Sequence, residues 1–414
     1  MEPFFAMTNV IRDYAWGDER RIPDFLGIEY PAGKPAAEVW MGAHPSAPSR
    51  IGSDGREARL DEWIDSRRNE ALGPDVAAGF GRLPFLFKLL AAGKSLSIQA
   101  HPDKTTAEEG FRREEALGIP RDAPERNYRD DNHKPEIIMA ITPFTAMIGF
   151  REPADILRDF ELLAADGAAL PFLEGLSAAA ADPGGPGEES GLAEFLTTLL
   201  TLEPGEKVKL TKTAVDAAGN PSCPWDELRR VWVPRLEGQF PGDAGVLAPL
   251  FLNVVEIAPG EALFQPARML HAYLNGFGVE LMANSDNVLR GGLTPKNVDV
   301  SELASVLDFR PSVPEVLPAP RSEPGGLGLY PTPAREFNLA LADLGDPSDP
   351  PLVLEKGFGP AVVLAMEGSA VLSRDADELA LRRGQSAFIP WASGPVTVTG
   401  GGRIAVASVP RGNS

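Results

Sequence analysis

The stretch Lys94-Ser95-Leu96-Ser97-Ile98-Gln99-Ala100-His101 reads with a period of two. Leu96, Ile98 and Ala100 alternate with Ser97, Gln99 and His101, so the polar three share one face of an extended strand. On a helix, Gln99 and His101 would diverge and could not easily hold one ion. The neighbouring sequence agrees with a β reading. Leu83 to Leu90 (LPFLFKLL) is a short apolar run bounded by Gly and Pro, as a buried strand requires, and Pro135 to Phe150 is again strand-like. Strands return from Phe251. The tail from about 320 to 414 is a series of short strands punctuated by Gly and Pro, the pattern of a sandwich or barrel. Leu60 to Leu72 has helical spacing. Residues 152–245 differ from the rest: they are rich in Ala, Leu, Glu and Asp, with helical patterns at 153–164, 190–202, 205–217 and 225–237. The segment ADPGGPGEES at 181–190 reads as a flexible linker. The expected fold is mainly β with an α-helical insertion. A first barrel comes from 1–151 and 246–320, helices from 152–245, and a second β domain from 321–414.

Composition narrows the function. The chain has 414 residues, a net charge of −20 and a pI near 4.7. Nucleic-acid binding needs a basic footprint, and docking on anionic membranes needs the same, so neither partner is expected. No run approaches the roughly 18 apolar residues of a membrane-spanning helix. The first residues lack the charged and apolar regions of a signal peptide. One cysteine, Cys223, rules out an internal disulfide and fits a reducing compartment, so a cytoplasmic protein is expected.

Against this background the four histidines are informative. Gln99 and His101 lie on one strand face, Glu136 opens another strand-like run, and His271 begins a third. Polar residues pointing inward on apolar strands are costly unless they are paired or bind something. Two imidazoles, one carboxylate and one amide oxygen suit a borderline divalent cation, best Zn²⁺, with an open position. Such a site keeps net positive charge, which suits Lewis-acid chemistry and an anionic substrate. Lys134 lies two residues before Glu136 and would share its side in extended chain. The segment 280–297 (ELMANSDNVLRGGLTPKN) is the densest polar loop, and its Arg290 can meet a phosphate in a bidentate contact or oppose a developing enediolate charge.

The motifs SLSIQAHPDK (95–104), NHKPEIIMAI (132–141) and HAYLNGFGVELMANSDNVLRGGLTPKNVD (271–299) resemble those of type I mannose-6-phosphate isomerases, the phosphomannose isomerases. YAWG (14–17) and EVWMGAHPSAPS (38–49) do so more loosely. The resemblance implies two cupin-like, jelly-roll β-barrel domains beside a helical domain. It implies one Zn²⁺ per chain and an aldose–ketose isomerase that interconverts D-mannose 6-phosphate and D-fructose 6-phosphate through a Zn-stabilised cis-enediol. It makes Gln99, His101, Glu136 and His271 the metal ligands and Arg290 the catalytic arginine. Ser97, Lys134, Tyr273, Glu280 and Lys296 become substrate-binding positions. Asp286 matches a further active-site position, and His133, Lys134 and Asp286 are the acid–base candidates. A monomer acting on a small sugar phosphate is expected. Two other readings are open on the residues alone. One is a different metal-dependent cupin enzyme, an oxygenase or another sugar-phosphate isomerase, which metal analysis and oxygen uptake would reveal. The other is a carbohydrate-binding protein without turnover.

Overall fold

In the computed structural model the described residues are 2–53, 56–164, 170–345 and 350–410. They form two large antiparallel sheets, one of eleven strands and one of ten, and a helical layer. The strand His271–Ala283 organises the first sheet. Its early residues pair with Phe144–Phe150 and Ile98–Ala100, and its later ones with Phe85–Ala92 and Glu136–Ala140. The change of partners occurs at a bulge between Tyr273 and Asn275, followed by Gly276 at φ 147°. A Cβ at Gly276 would lie 2.3 Å from Phe144 Cδ2, so only glycine lets the strand bend there. That bend brings His271 and Glu280 to one concave face although nine positions separate them.

The apolar run at 83–90 is the wholly buried strand Phe85–Ala92, as its composition requires. Leu60 to Leu72 is helical, broken at Arg67 into Leu60–Ser66 and Arg68–Leu72. Of the residues 103–132, Lys104–Ala116 is a helix whose N-cap Asp103 accepts a hydrogen bond from the Thr106 amide. The rest is an irregular loop that returns to the site.

Between 152 and 245 the helical patterns appear as Pro153–Glu161, Pro186–Thr201, Pro204–Gly219 and Glu227–Gln239. Two differences stand out. Leu173–Ala181 is a further helix, and the expected linker at 181–190 is mostly helix, because Pro186 opens Pro186–Thr201. Proline is tolerated in a first turn, where its missing N–H has no intrahelical partner, so this Gly-Pro pair marks a helix start rather than a loop. Phe160, Phe172 and Phe195 meet edge-to-face at 5.2–5.6 Å, and Phe195 contacts Phe251, which leads back into the barrel. Each such fully buried ring is worth about 1.5–3 kcal/mol.

The expected boundary of the C-terminal β domain needs correction. Phe5–Thr8 pairs with Ser386–Ile389 and with Arg50–Ser53, so these strands and Arg56–Arg59 extend the C-terminal sheet, whereas Val10–Arg12 and Glu38–Met41 stay in the first one. Phe5 packs on Trp63 at 4.9 Å between ring centroids, and both lie in a core that also holds Phe87, Val279 and Phe388. A short strand carries no record of its partner. Here a core shared by the two sheets chose it.

Candidate metal centre and active-site cavity

The register places the site residues. Gln99 is paired with His271 on one side and with Arg290 on the other, so the three lie abreast across neighbouring strands. Glu136 stands opposite Met282 and Gln265. His101, Glu136 and His271 each offer a ligand atom within 4.8 Å of the others, and all three are buried. His101 Nε2 is 3.5 Å from Glu136 Oε1, and His271 Nε2 is 3.6 Å from Oε2.

Both imidazoles are oriented from behind. His101 Nδ1 is 2.7 Å from the Asn287 carbonyl and His271 Nδ1 is 3.0 Å from the Met269 carbonyl. A carbonyl only accepts, so each Nδ1 donates and each Nε2 presents a lone pair to the centre. His271 Nε2 and Glu136 Oε2 are buried without a hydrogen-bond partner. Such convergent orphaned acceptors cost free energy unless a cation satisfies them, so the donor set fits a divalent metal. Gln99, half-buried, lines the same cavity.

Burial, then the Lys134 ammonium, pulls the His101 pKa down to about 4. Glu136 is held well below the usual carboxylate range. Burial opposes this, but Lys134 and the imidazoles override it. Lys134 Nζ lies 2.5 Å from Glu136 Oε1. These shifts keep His101 and Glu136 deprotonated. As pH falls, protons compete for His101 only as its pKa near 4 is approached, so bound zinc should be retained through mildly acidic buffers and lost toward pH 4. Metal analysis after dialysis at stepped pH checks this. Release already near the ordinary histidine value, ~6.5, would mean that shielding of His101 does not govern metal retention.

The centre opens into a cavity of about 880 Å³. Ser97, Lys134, Tyr273, Glu280, Asp286, Arg290 and Lys296 all line it. Tyr273 donates from its hydroxyl to Gln265 Oε1 at 2.9 Å, and burial together with Glu280 and Glu136 raises its pKa, so it stays protonated. Asp286 is half-exposed at the rim, 3.6 Å from His44 Nε2. His133 is a correction. In extended chain it points opposite to Lys134, its Nε2 meets Glu336 Oε1 at 2.7 Å, and it faces a different cavity bordered by Arg335 and Val409.

The domain patterns "Phosphomannose isomerase type I, catalytic domain" and "Mannose-6-phosphate isomerase, cupin domain" match residues 4–153 and 353–409. The mannose-6-phosphate isomerase of Salmonella typhimurium is 40% identical over 407 residues, covering 96% of this chain and 98% of its own. The chain belongs to the type I mannose-6-phosphate isomerases. The human enzyme of that name is 32% identical, with 93% of each chain covered. A zinc-bound mannose 6-phosphate isomerase structure superposes with a TM-score of 0.88 at 37% identity, covering 99% of this chain and all of that one. A lysine-to-alanine mutant of the Salmonella typhimurium phosphomannose isomerase gives 0.89 at 37% identity, with the same coverage.

In this member of the family the cavity also holds residues that sequence reasoning missed. Lys88 is buried between two carboxylates, 2.7 Å from Glu280 Oε2 and 3.4 Å from Glu38 Oε1. Trp40 Nε1 donates to the other Glu38 oxygen at 2.7 Å. Burial works against charge on Lys88, but Glu280, Glu38 and Glu136 outweigh it and raise its pKa. A signal was present: a lone lysine inside LPFLFKLL is a charge in a strand with no exposed face, which survives only when paired. Arg129 was missed too. It lies in an irregular loop with no periodicity to place it.

Proposed function

We propose that this cavity is where the chain interconverts D-mannose 6-phosphate and D-fructose 6-phosphate, with zinc held by His101, Glu136, His271 and Gln99. The isomerase activity is that of its family. The observation that carries the site assignment is the pair of Nε2 lone pairs and the carboxylate converging, buried, at the floor of a cavity whose wall carries Arg290, Lys296 and Arg129.

The reaction moves a proton between C1 and C2 of the sugar through a cis-enediol. When bound, zinc supplies Lewis-acid stabilisation of negative charge developing on the sugar oxygens. The chain's own groups do the rest. Arg290, abreast of Gln99, points its charge at the same region. Burial first, and Arg129 second, lower its pKa, so an anion bound beside it would offset both effects. Lys134 and Asp286 are the cavity's candidates to carry the proton, since His133 faces elsewhere. Tyr273 and Gln265 form a hydrogen-bonded wall behind them. Ser97 and Lys296 serve the substrate, Lys296 on the side where the cations gather.

The catalytic unit, the helical insertion and the C-terminal β domain divide near 151, 245 and 320 in this reading, with Phe5–Thr8, Arg50–Ser53 and Arg56–Arg59 assigned to the C-terminal sheet. No helix among the described residues is long and apolar enough to cross a membrane. The single cysteine and an acidic composition support a cytoplasmic enzyme acting as a monomer on a small sugar phosphate.

The decisive experiment strips the protein of metal, restores zinc, and couples fructose 6-phosphate formation to a dehydrogenase readout. Activity that returns with zinc supports the reading, and none with full zinc occupancy ends it. Within that assay, Arg290→Ala should lower kcat by roughly 10²-fold or more, the scale of a lost transition-state donor, while zinc content stays at one per chain. Unchanged kcat would remove Arg290 from the mechanism.

A further inference from the structure

Deepening the isomerase reading, on which it rests, we infer that Arg129 joins Lys296 in holding the substrate's phosphate, next to the Arg290 that serves the reacting end, and that Asn287 positions Arg129, tying that pocket to the metal ligand His101.

The charge distribution leads there. The chain carries 59 acidic residues against 39 Lys and Arg, so carboxylate partners are plentiful for its cations. Arg126, three positions before Arg129, meets Glu114 at 2.9 Å and Glu115 at 2.8 Å. Arg129, Arg290 and Lys296 behave otherwise. All three line the cavity, and among the described residues none forms an ion pair with a carboxylate. They are close enough that Arg129 lowers the pKa of both others, after burial in each case and after Arg290 for Lys296. Arg129 and Lys296 are exposed at the cavity and Arg290 is half-buried, so their repulsion is partly screened by water and an incoming anion relieves the rest. A phosphate dianion, with three strong acceptor oxygens, suits such a cluster.

Arg129 sits in an irregular loop, so something must hold it. Asn287 does. Its Oδ1 accepts from the Arg129 amide at 2.7 Å and the Asp130 amide at 3.2 Å. Its Nδ2 donates to the Asp130 and Asn132 carbonyls at 2.8 and 2.9 Å. The side chain is wholly buried and uses both ends of its amide on the 129–132 loop. The same residue's carbonyl accepts the His101 Nδ1 proton at 2.7 Å. One residue therefore fixes the imidazole that faces the metal and the loop that delivers the arginine. Asn287 is thus one link between the metal and phosphate sites, beside the strand register that sets Arg290 abreast of Gln99.

The test uses the full-length zinc enzyme and its Arg129→Ala, Arg129→Lys and Asn287→Ala variants. The readouts are KM and kcat for mannose 6-phosphate, the inhibition constant of inorganic phosphate, and zinc affinity against a chelator. Arg129→Ala should raise KM and the phosphate inhibition constant by roughly ten- to hundredfold, as for one lost charge-assisted hydrogen bond, with kcat and zinc affinity nearly unmoved. Arg129→Lys should recover part of the loss. Asn287→Ala should raise KM similarly and also weaken zinc by roughly 10–100-fold, the cost of loosening a group behind a ligand. In the double variant the KM effects should not add, because Asn287 acts through Arg129. Wild-type KM and phosphate inhibition in Arg129→Ala would overturn the pocket assignment. An Asn287→Ala protein that loses only thermal stability would overturn the positioning role. A wild-type enzyme that binds phosphate, loses that binding in Arg129→Ala, yet turns over no mannose 6-phosphate would sink the isomerase reading and leave the anion site standing.

Discussion

Glu136→Gln should yield a protein that no longer retains zinc and has no measurable isomerase activity. The carboxylate is the only anionic member of the ligand set, and it faces both Nε2 atoms at 3.5–3.6 Å. An amide cannot supply its charge. Affinity should therefore fall by more than the roughly 10–100-fold that losing an outer partner costs. A second consequence is separable. Lys134, 8% exposed, depends on Glu136 Oε1 for its counter-charge. Breaking such a buried pair by neutralising one member costs about 3–5 kcal/mol. Chelator-treated wild type and variant compared by denaturant unfolding isolate that loss from the stabilisation that zinc binding gives. A variant that keeps zinc stoichiometrically would show that the two histidines and Gln99 suffice, and the assignment of Glu136 would fall.

Lys88→Met should be the other severe change. It leaves Glu38 and Glu280, both buried, facing one another with no cation between them. The expected destabilisation is again about 3–5 kcal/mol, most of it the uncompensated charge rather than lost contact. Its pH signature has a definite sign. Burial already raises the Glu280 pKa, and Lys88 is the first group opposing that rise. Without Lys88 the folded-state pKa climbs further above the unfolded one. The folded protein then binds more protons than the unfolded chain between those two values, so stability falls as pH rises through the window and recovers on acidification. Unfolding midpoints measured across that range read it directly. Adding Glu280→Gln should restore much of the stability while leaving activity low, because the cavity wall still lacks its ammonium. A Lys88→Met protein as stable as wild type at neutral pH would show that the carboxylates are hydrated or already neutral, contrary to their burial.

How much of this was legible beforehand varies residue by residue. The proposed ligands were visible because strand periodicity makes a polar side chain at an inward position conspicuous: Gln99 and His101 in an alternating strand, Glu136 and His271 at the head of apolar ones. The helical insertion was visible for the complementary reason, a change of period. Lys88 carried a signal that was read only as part of an apolar run. His133 illustrates the opposite error. Its neighbours in sequence belong to the site, but chain alternation turns it toward Glu336 in the C-terminal part of the chain.

The sequence by itself determined what is local and periodic: which segments extend, which coil, which polar groups sit on faces that must be buried, and hence the chemical type of the metal site. Only the tertiary structure decided what met what. It bent His271–Ala283 at Gly276 so that one strand serves two sets of partners. It gave Phe5–Thr8 to the far sheet and routed an irregular loop so that Arg129 stands beside Arg290. Periodicity reports the environment of a residue because burial acts on each position in turn. Pairing between distant segments is settled by a shared core and by buried hydrogen bonds such as those of Asn287, and these exist only once the chain has closed.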